Sequence, residues 1–588
     1  MRVVLASLLV FPACVGMGRA AAAEEPCRAD GEVVVWRFPR RARPGDTVRL
    51  VVVSETGPPG DLVVRDGDGN SRPPGLVTRH DGPPWSVVAT LPQTRSGMTR
   101  LEVRRDGAMV ACRVLWEDAE QDAQEPRGWD RAHEALYAAW IEHLFAAPPG
   151  EQLAFASLDP VLRDRDRNFL HNARGLGEDD EGRRAPLVPD CADLPYVLRA
   201  YFAWKLGLPI AYRQCSRGSA MAPPRCGAPT VVEAPRDARG FDALARRIAD
   251  AVHSGNARTA LDDEATDFYP VPLDRAALRP GTVFADPYGH TLVLVQWVPP
   301  SAEHGGMLLA VDAQPDNTVS RKRFWEGTFL FAATPSAGPG FKAMRPLLRA
   351  ADGSVRQASN TDLRLGAGAA RFDLQQAEML PDAFYARVTA LIHPEGLSPE
   401  AAYEAMLDAL VEQLEARVRS VENGEAWIRA HPGAVVSMPT GAAIFETTGP
   451  WEDYATPSRD FRLLIAMRVL LDLPERIDRH PQLFRLEGRS PREARAAIER
   501  LHALRTAERS ITYRRSDGSP WVLSVAELLA RRERLEVAYH PNDCVEARWG
   551  ATEGSPEYAT CQRRAPAGDR RRMEAQRAWF REGRRPSR

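Results

Sequence analysis

The chain has 588 residues, 77 Lys and Arg against 79 Asp and Glu, a net charge of −2 and a hydrophobic fraction of 44%. The length exceeds what one hydrophobic core serves, so about two to four domains are expected. The apolar fraction excludes a wholly disordered chain, and the near-zero net charge argues against a general nucleic-acid binder.

The first 23 residues match a secretory signal. Arg2 gives the positive end, Val3 to Phe11 a short apolar run, and Ala20-Ala21-Ala22-Ala23 a small-residue cleavage site before Glu24. Phe11-Pro12-Ala13 before Cys14 is a poor match to the small-residue box of a lipid anchor. No later stretch reaches the ~18 apolar residues that a membrane span needs. The expected protein is exported, periplasmic or secreted, with no transmembrane segment. Lysine stands only at 205, 322 and 342; this arginine bias reads as GC-rich bacterial coding rather than phosphate recognition.

Eight cysteines less Cys14 leave seven in the mature chain, and in an oxidising compartment an odd count leaves one thiol over. Cys27 and Cys112 bracket one β-rich segment, Cys215 and Cys226 close a small loop, and Cys544 and Cys561 close another. The spacing therefore predicts disulfides Cys27–Cys112, Cys215–Cys226 and Cys544–Cys561, with Cys191 free.

Residues 24–120 alternate with period two, as in Val48, Leu50 and Val52 or Leu101 and Val103, and turn signals such as Pro44-Gly45-Asp46 and Arg105-Asp106-Gly107 punctuate them. This resembles a small immunoglobulin-like β-sandwich. Asp66, Asp68 and Asn70 have the spacing of a calcium loop, but Val77 stands where its bidentate Glu belongs, so a plain turn is expected. Glu117 to Arg127 reads as a linker. Residues 121–345 mix helix and strand: Leu136, Trp140 and Leu144 recur every four, a helix is expected to open at Cys191, and strands follow at Thr291–Val298 and Met307–Val311. Residues 346–588 are mainly helical. Ser398-Pro399 opens a long amphipathic helix, and Ser490 with Glu493 and Ser524 with Glu527 are capping-box starts. The acidic run Glu178-Asp179-Asp180-Glu181 reads as a solvated loop. Trp451 is expected to anchor the start of the apolar helix around Leu463–Leu471. The last 26 residues, with ten Arg and three acids, read as a solvated tail.

No phosphate loop, zinc helix, nucleophile elbow or dinucleotide fingerprint occurs. The chemistry-bearing residues lie in the middle third. Pro189-Asp190-Cys191-Ala192-Asp193-Leu194 precedes an apolar helical face at Leu194, Val197, Leu198, Tyr201 and Phe202, stopped by Gly207. A thiol at a helix N-terminus is expected to have a lowered pKa. A thiolate nucleophile needs a base, and the base an orienting partner. Asp286-Pro287-Tyr288-Gly289-His290 runs into the apolar strand Thr291–Val295, and the next strand ends at Asp312; paired as a hairpin, the two strands bring Asp312 back to His290.

At these residues the chain resembles the papain-like group. Asp190-Cys191 opening a helix, and Arg279-Pro280-Gly281-Thr282-Val283-Phe284 leading to Gly289-His290, are similar to the NlpC-type cell-wall peptidases. Cys191-x-Asp193 with Leu206-Gly207-Leu208-Pro209, and a His strand followed by an Asp, are similar to transglutaminase-like proteases. The resemblance spans about residues 129 to 335. It departs from both families in the 98 residues between Cys191 and His290 and in Cys191-Ala192 where the NlpC-type pattern has Cys-Ser. The expected architecture is therefore multidomain α+β, with an N-terminal immunoglobulin-like sandwich, a papain-like α+β catalytic domain, as the resemblance implies, and a mainly α-helical C-terminal domain of unassigned role. The resemblance further implies thiol attack on an amide carbonyl, with Cys191 as nucleophile, His290 as general acid and base, and Asp312 orienting it. The expected substrate is a peptidoglycan stem peptide or a protein, and no metal or organic cofactor is implied. The competing expectations are a catalytically silent binding or structural protein of the envelope and an acyl transferase using the same triad.

Overall fold

The computed structural model describes residues 27, 31–40, 47–66, 70–91, 98–114, 128–301, 306–314, 316–445 and 449–586. The signal segment, the linker Glu117–Arg127 and Asp68 of the acidic turn lie outside the described residues. The architecture is mixed α+β, with antiparallel sheets followed by a helical C-terminal third.

The N-terminal strands form two four-stranded antiparallel sheets. β1 (Val33–Phe38), β2 (Val48–Ser54), β5 (Val77–His80) and β6 (Trp85–Leu91) make one, and β3 (Asp61–Asp66), β4 (Ser71–Arg72), β7 (Met98–Arg105) and β8 (Ala108–Val114) the other. Period-two alternation turns Val48, Leu50 and Val52 toward Leu101, Val103 and Ala111 of the facing sheet, so the two pack face to face. The other face of the first sheet is also apolar: Val51, Val53 and Val88 join the core of the following region. Both faces of β2 are therefore buried, which fixes the sandwich to its neighbour. The Asp66 turn closes the β3–β4 hairpin, with the Asn70 N–H donating to Asp66 Oδ1 at 2.8 Å.

The middle region is built on a seven-stranded antiparallel sheet. In chain order its surroundings are α1 (Arg131–Leu144), β9 (Ala154–Phe155), α2 (Leu158–Arg163), α3 (Leu194–Leu206), the small hairpin β10 (Ile210–Tyr212) and β11 (Thr230–Val232), and α4 (Ala238–Ala251). Strands β12 (Phe268–Pro270), β13 (Val283–Ala285), β14 (Thr291–Val298), β15 (Met307–Ala313), β16 (Val319–Arg323) and β17 (Gly340–Met344) complete the sheet in the order β12-β17-β13-β14-β15-β16-β9. The continuous apolar run of β14 is explained by burial on both sides. Val293 and Val295 meet the α1, α3 and α4 side chains. Leu292 and Leu294 meet an aromatic layer of Phe284, Phe329, Phe341 and Phe384.

After α5 (Asn360–Arg364) and α6 (Pro381–Ile392), which carries Phe384, the chain forms a helical unit. It comprises α7 (Pro399–Ala430), α8 (Gly449–Tyr454), α9 (Pro457–Arg479), α10 (Pro491–Glu508), the short α11 (Val525–Ala530), α12 (Arg532–Leu535) and α13 (Val545–Arg548), and α14 (Ala567–Glu582). Both expected capping boxes form, Ser490 with Glu493 and Ser524 with Glu527. Trp451 is buried, its Nε1 donating to the Ile444 carbonyl. The arginine-rich end is not a solvated tail: α14 buries Met573 and Phe580 in the helical core. No described helix is long and apolar enough to cross a membrane.

All three expected disulfides are present and Cys191 is free. The acidic run is solvated only in its second half, where Asp180 and Glu181 are exposed. Glu178 and Asp179 are buried and hold the buried Lys205 ammonium, and Asp179 also accepts from the Tyr201 hydroxyl and Arg184. A lysine deep on the apolar side of α3 needs a buried counter-charge, and this run supplies it.

Candidate active site

Cys191 does not open α3 directly. The helix runs from Leu194, and Cys191 occupies the turn before it. Asp190 organises that turn: its Oδ1 accepts from the Ala192 and Asp193 N–H groups at 2.8 and 2.9 Å, and its carbonyl accepts from the Leu194 N–H at 3.0 Å. This is N-cap chemistry set one turn ahead of the regular helix, with Pro195 tolerated inside the first turn. At the far end Gly207 takes the left-handed conformation, φ 71°, as the stop signal implies.

His290 stands at the mouth of β14 because the β13–β14 hairpin closes at it. The Asp286 N–H donates to the His290 carbonyl at 2.9 Å and the Gly289 N–H to the Asp286 carbonyl at 3.2 Å. The Tyr288 N–H donates to Asp286 Oδ1 at 2.6 Å. Gly289 has φ +109°, a conformation that favours glycine, and a Cβ there would approach Ser254 Oγ at 3.2 Å.

β14 and β15 pair antiparallel, Val293 with Val311 and Leu294 with Ala310, as the hairpin expectation requires. Asp312 thereby returns to His290, whose Nε2 lies 2.9 Å from Asp312 Oδ2. The carboxylate is nearly closed to solvent, its side chain 4% exposed. Gln314 Nε2 donates to its Oδ2 at 2.6 Å and Ser320 Oγ to its Oδ1 at 3.0 Å. Burial pushes the Asp312 pKa up, but the Lys322 charge and the His290 and Ser320 hydrogen bonds outweigh it and hold the group at about 2. An ionised Asp312 can only accept, so Nε2 carries the imidazole proton toward it and Nδ1 is left as the basic nitrogen.

The Cys191 thiol belongs to the same locality. The backbone N–H of Thr291, the residue after His290, favours its thiolate, and it feels the charges of Asp190, Asp312 and Arg462; among the described residues no hydrogen bond joins His290 to the thiol. Its pKa is the reverse of the expectation. Burial, reinforced by the Asp190 and Asp312 carboxylates, pushes it up to about 12. A thiol in the capped turn rather than on the helix itself is thus governed by its burial first and by the neighbouring carboxylates second. Asp193 is raised to about 7, by burial and then by Asp190.

Several participants were not readable as such in the sequence. Arg462 of α9 pairs with Asp286 at 2.8 Å. The Tyr288 ring meets Phe461 edge-on, centroids 5.5 Å apart, and the Tyr288 carbonyl accepts from Arg585 at 3.1 Å. From the long stretch between Cys191 and His290, Arg258 donates to the Pro287 carbonyl at 3.4 Å, and His253 holds the Cys215 carbonyl of the disulfide loop at 3.0 Å. Gln314 and Ser320 could have been found by extending the hairpin register from Asp312. The α9 residues could not, since nothing in the local pattern ties them to a turn more than 170 positions earlier.

His171 is buried, with its pKa lowered by burial to about 4. A cavity of about 170 Å³ opens at the other end of β15, walled by Met307, Trp325, His393 and Met406 beside the Glu326–Arg476 pair; Cys191, His290 and Asp312 do not line it. Among the described residues, Cys544, Glu546 and Cys561 lie close enough together to hold a metal, but the two sulfurs are already joined. The chain matches no family model, and neither curated proteins nor solved structures give a match.

Proposed function

We propose that this chain is an exported cysteine hydrolase of the papain-like group that cleaves an amide bond, in a peptidoglycan stem peptide or a protein, through Cys191, His290 and Asp312. The observation that carries the reading is the 2.9 Å His290–Asp312 contact at the mouth of the strand whose first residue, Thr291, acts through its backbone N–H on the thiol of Cys191, the free cysteine among the described residues. In the proposed reaction His290 Nδ1 takes the Cys191 proton as sulfur attacks the amide carbonyl, and the resulting imidazolium is stabilised by Asp312. The amine then leaves with the proton from His290, and water attacks the thioester with His290 again as base, releasing a carboxylic acid. In this reading the N-terminal sandwich is immunoglobulin-like and positions the enzyme.

The raised thiol pKa supports the competing reading of a silent envelope protein, because a protonated sulfur is a poor nucleophile. Turnover decides between them. Muropeptides and an unfolded protein are incubated with the mature chain in ¹⁸O-water and the products weighed. A new amine with one ¹⁸O in the partner carboxyl, absent with Cys191→Ala, is the expected result. Amine release without ¹⁸O, together with a crosslinked product when an amine is added, would assign acyl transfer instead. No product difference between the wild type and Cys191→Ala would leave the silent protein.

A further inference from the structure

The pocket of about 170 Å³ at the start of β15 lies on a seam between two cores. Leu308, Phe324 and Ile392 of its wall belong to the aromatic layer on the sheet, Trp325 belongs to the helical core, and Leu397 and Met406 pack against that core. Seams between packed units are where small-molecule pockets concentrate. An apolar cavity of about 150 Å³ holds a benzene-sized molecule, so this one has room for a ring and a short substituent.

The polar side of the pocket is the end of α6. Thr389 and His393 stand four residues apart there and border the pocket together with Tyr385. The Tyr385 hydroxyl is committed: it donates to the Phe329 carbonyl at 2.7 Å and accepts from the Phe331 N–H at 2.8 Å. The side chains of Thr389 and His393 make no hydrogen bond or ion pair with any described residue. Burial lowers the His393 pKa to about 4, so the ring is neutral at neutral pH and keeps one N–H to donate. In the same wall Arg476 has its Nη2 buried without an acceptor. Donors in an apolar wall call for an acceptor.

The charges of the wall do not call for a counter-ion. Glu326 and Arg476 are paired, so a carboxylate would meet Glu326 and an ammonium would meet Arg476. Arg323 borders the pocket as well, but it pairs in register with Leu309, which lies in the core on the other face of the sheet, so its side chain leaves on the side away from α6.

We propose that this pocket is a binding site for a small uncharged molecule made of an apolar ring and one hydrogen-bond acceptor such as a carbonyl, with the ring between Phe324, Trp325 and Met406 and the acceptor on Thr389 and His393. The site is separate from Cys191, His290 and Asp312, none of which lines it, and it does not depend on the hydrolase reading.

Three molecules of equal size test the class. Acetophenone carries the ring and a carbonyl, α-methylstyrene has a vinylidene group in place of the carbonyl, and benzoate has a charge there. Binding to the full mature chain is followed by calorimetry and by saturation-transfer NMR. One acetophenone is expected to bind per chain with a dissociation constant below about 1 mM, and benzoate at least about tenfold more weakly. In His393→Leu the affinity of acetophenone relative to α-methylstyrene should fall about fivefold. Ala405→Leu extends a side chain of α7 into the pocket and should weaken both at least about tenfold. No saturable acetophenone binding to the wild type overturns the proposal without any variant, so a misfolded variant cannot protect it. Benzoate binding as tightly as acetophenone overturns the uncharged class, and an unchanged ratio in His393→Leu overturns the polar contact. Acetophenone binding that survives Ala405→Leu, or that is lost when Cys191 is alkylated, overturns the location. Turnover plays no part in these readings, so failure of the hydrolase and failure of this site are separately visible.

Discussion

Asp312 is the residue on which the local chemistry converges, since His290, Gln314 and Ser320 all direct hydrogen atoms at it. Its folded pKa of about 2 lies below the ordinary carboxylate value. A depressed acid adds stability that is complete above the unfolded pKa of ~4 and is lost as pH falls toward 2. Asp312→Asn is therefore expected to cost about 2 kcal/mol at pH 6–7 and almost nothing near pH 2, read as urea midpoints across that range. A penalty that does not change with pH would mean the carboxylate is not held ionised by its partners. The free cysteine and the His290–Asp312 pairing were legible from the sequence because each sits beside a strong local signal: a leftover cysteine, a turn before an apolar run, a strand end. The thiol pKa was not legible, because it is set by burial and by carboxylates whose positions depend on the tertiary fold.

At the scale of elements, the start of α3 separates what the local pattern can tell from what it cannot. Pro195 and Asp190 mark the helix start within a turn, but the capping carboxylate precedes Cys191 rather than following it, so the thiol sits in the capped turn. Asp190→Ala removes the acceptor of two N–H groups and is expected to destabilise the protein by about 1 kcal/mol. It also removes the carboxylate that raises the thiol most, so the pH at which Cys191 alkylates should move down; an unchanged profile would show that Asp190 does not act on the thiol. The first half of the acidic run, Glu178 and Asp179, departs from the expectation for a different reason. Charge density predicts solvation, and only the fold reveals that the interior of α3 carries Lys205. Lys205→Ala leaves two buried carboxylates without their cation and is expected to cost about 3–5 kcal/mol, measured by chemical denaturation. A cost under about 1 kcal/mol would mean that water reaches the cluster.

At the scale of the whole molecule, the sandwich, the sheet and the helical unit are tied by shared surfaces rather than strung on linkers. The sandwich buries Val51 and Val53 against the middle core. The helical unit takes Trp325 and Leu330 of the middle region into its own core and closes over Tyr288. Alternation and helical periodicity disclosed the three regions, but not this docking, because contacts between regions leave no period in the sequence. A chain ending at residue 345 would expose Trp325, Leu330 and Tyr288 together and strip Asp286 of Arg462. Such a truncation is expected to be poorly soluble and to label Cys191 like an unfolded thiol. A soluble, cooperatively melting fragment with native labelling would contradict the idea that the helical unit belongs to the site.

The most direct measurement is the pH profile of iodoacetamide labelling at Cys191, from pH 5 to 9, in the unreduced wild type and in His290→Ala. Burial and the neighbouring carboxylates push the Cys191 pKa up to about 12, so rapid labelling at pH 6–7 requires proton transfer to His290 as the reagent attacks. The expected result is a plateau in the wild type by about pH 7, and in His290→Ala a rate at least tenfold lower at that pH, still rising at pH 9. Superimposable profiles for the two proteins would contradict the pairing of Cys191 with His290, and with it the proposed hydrolase.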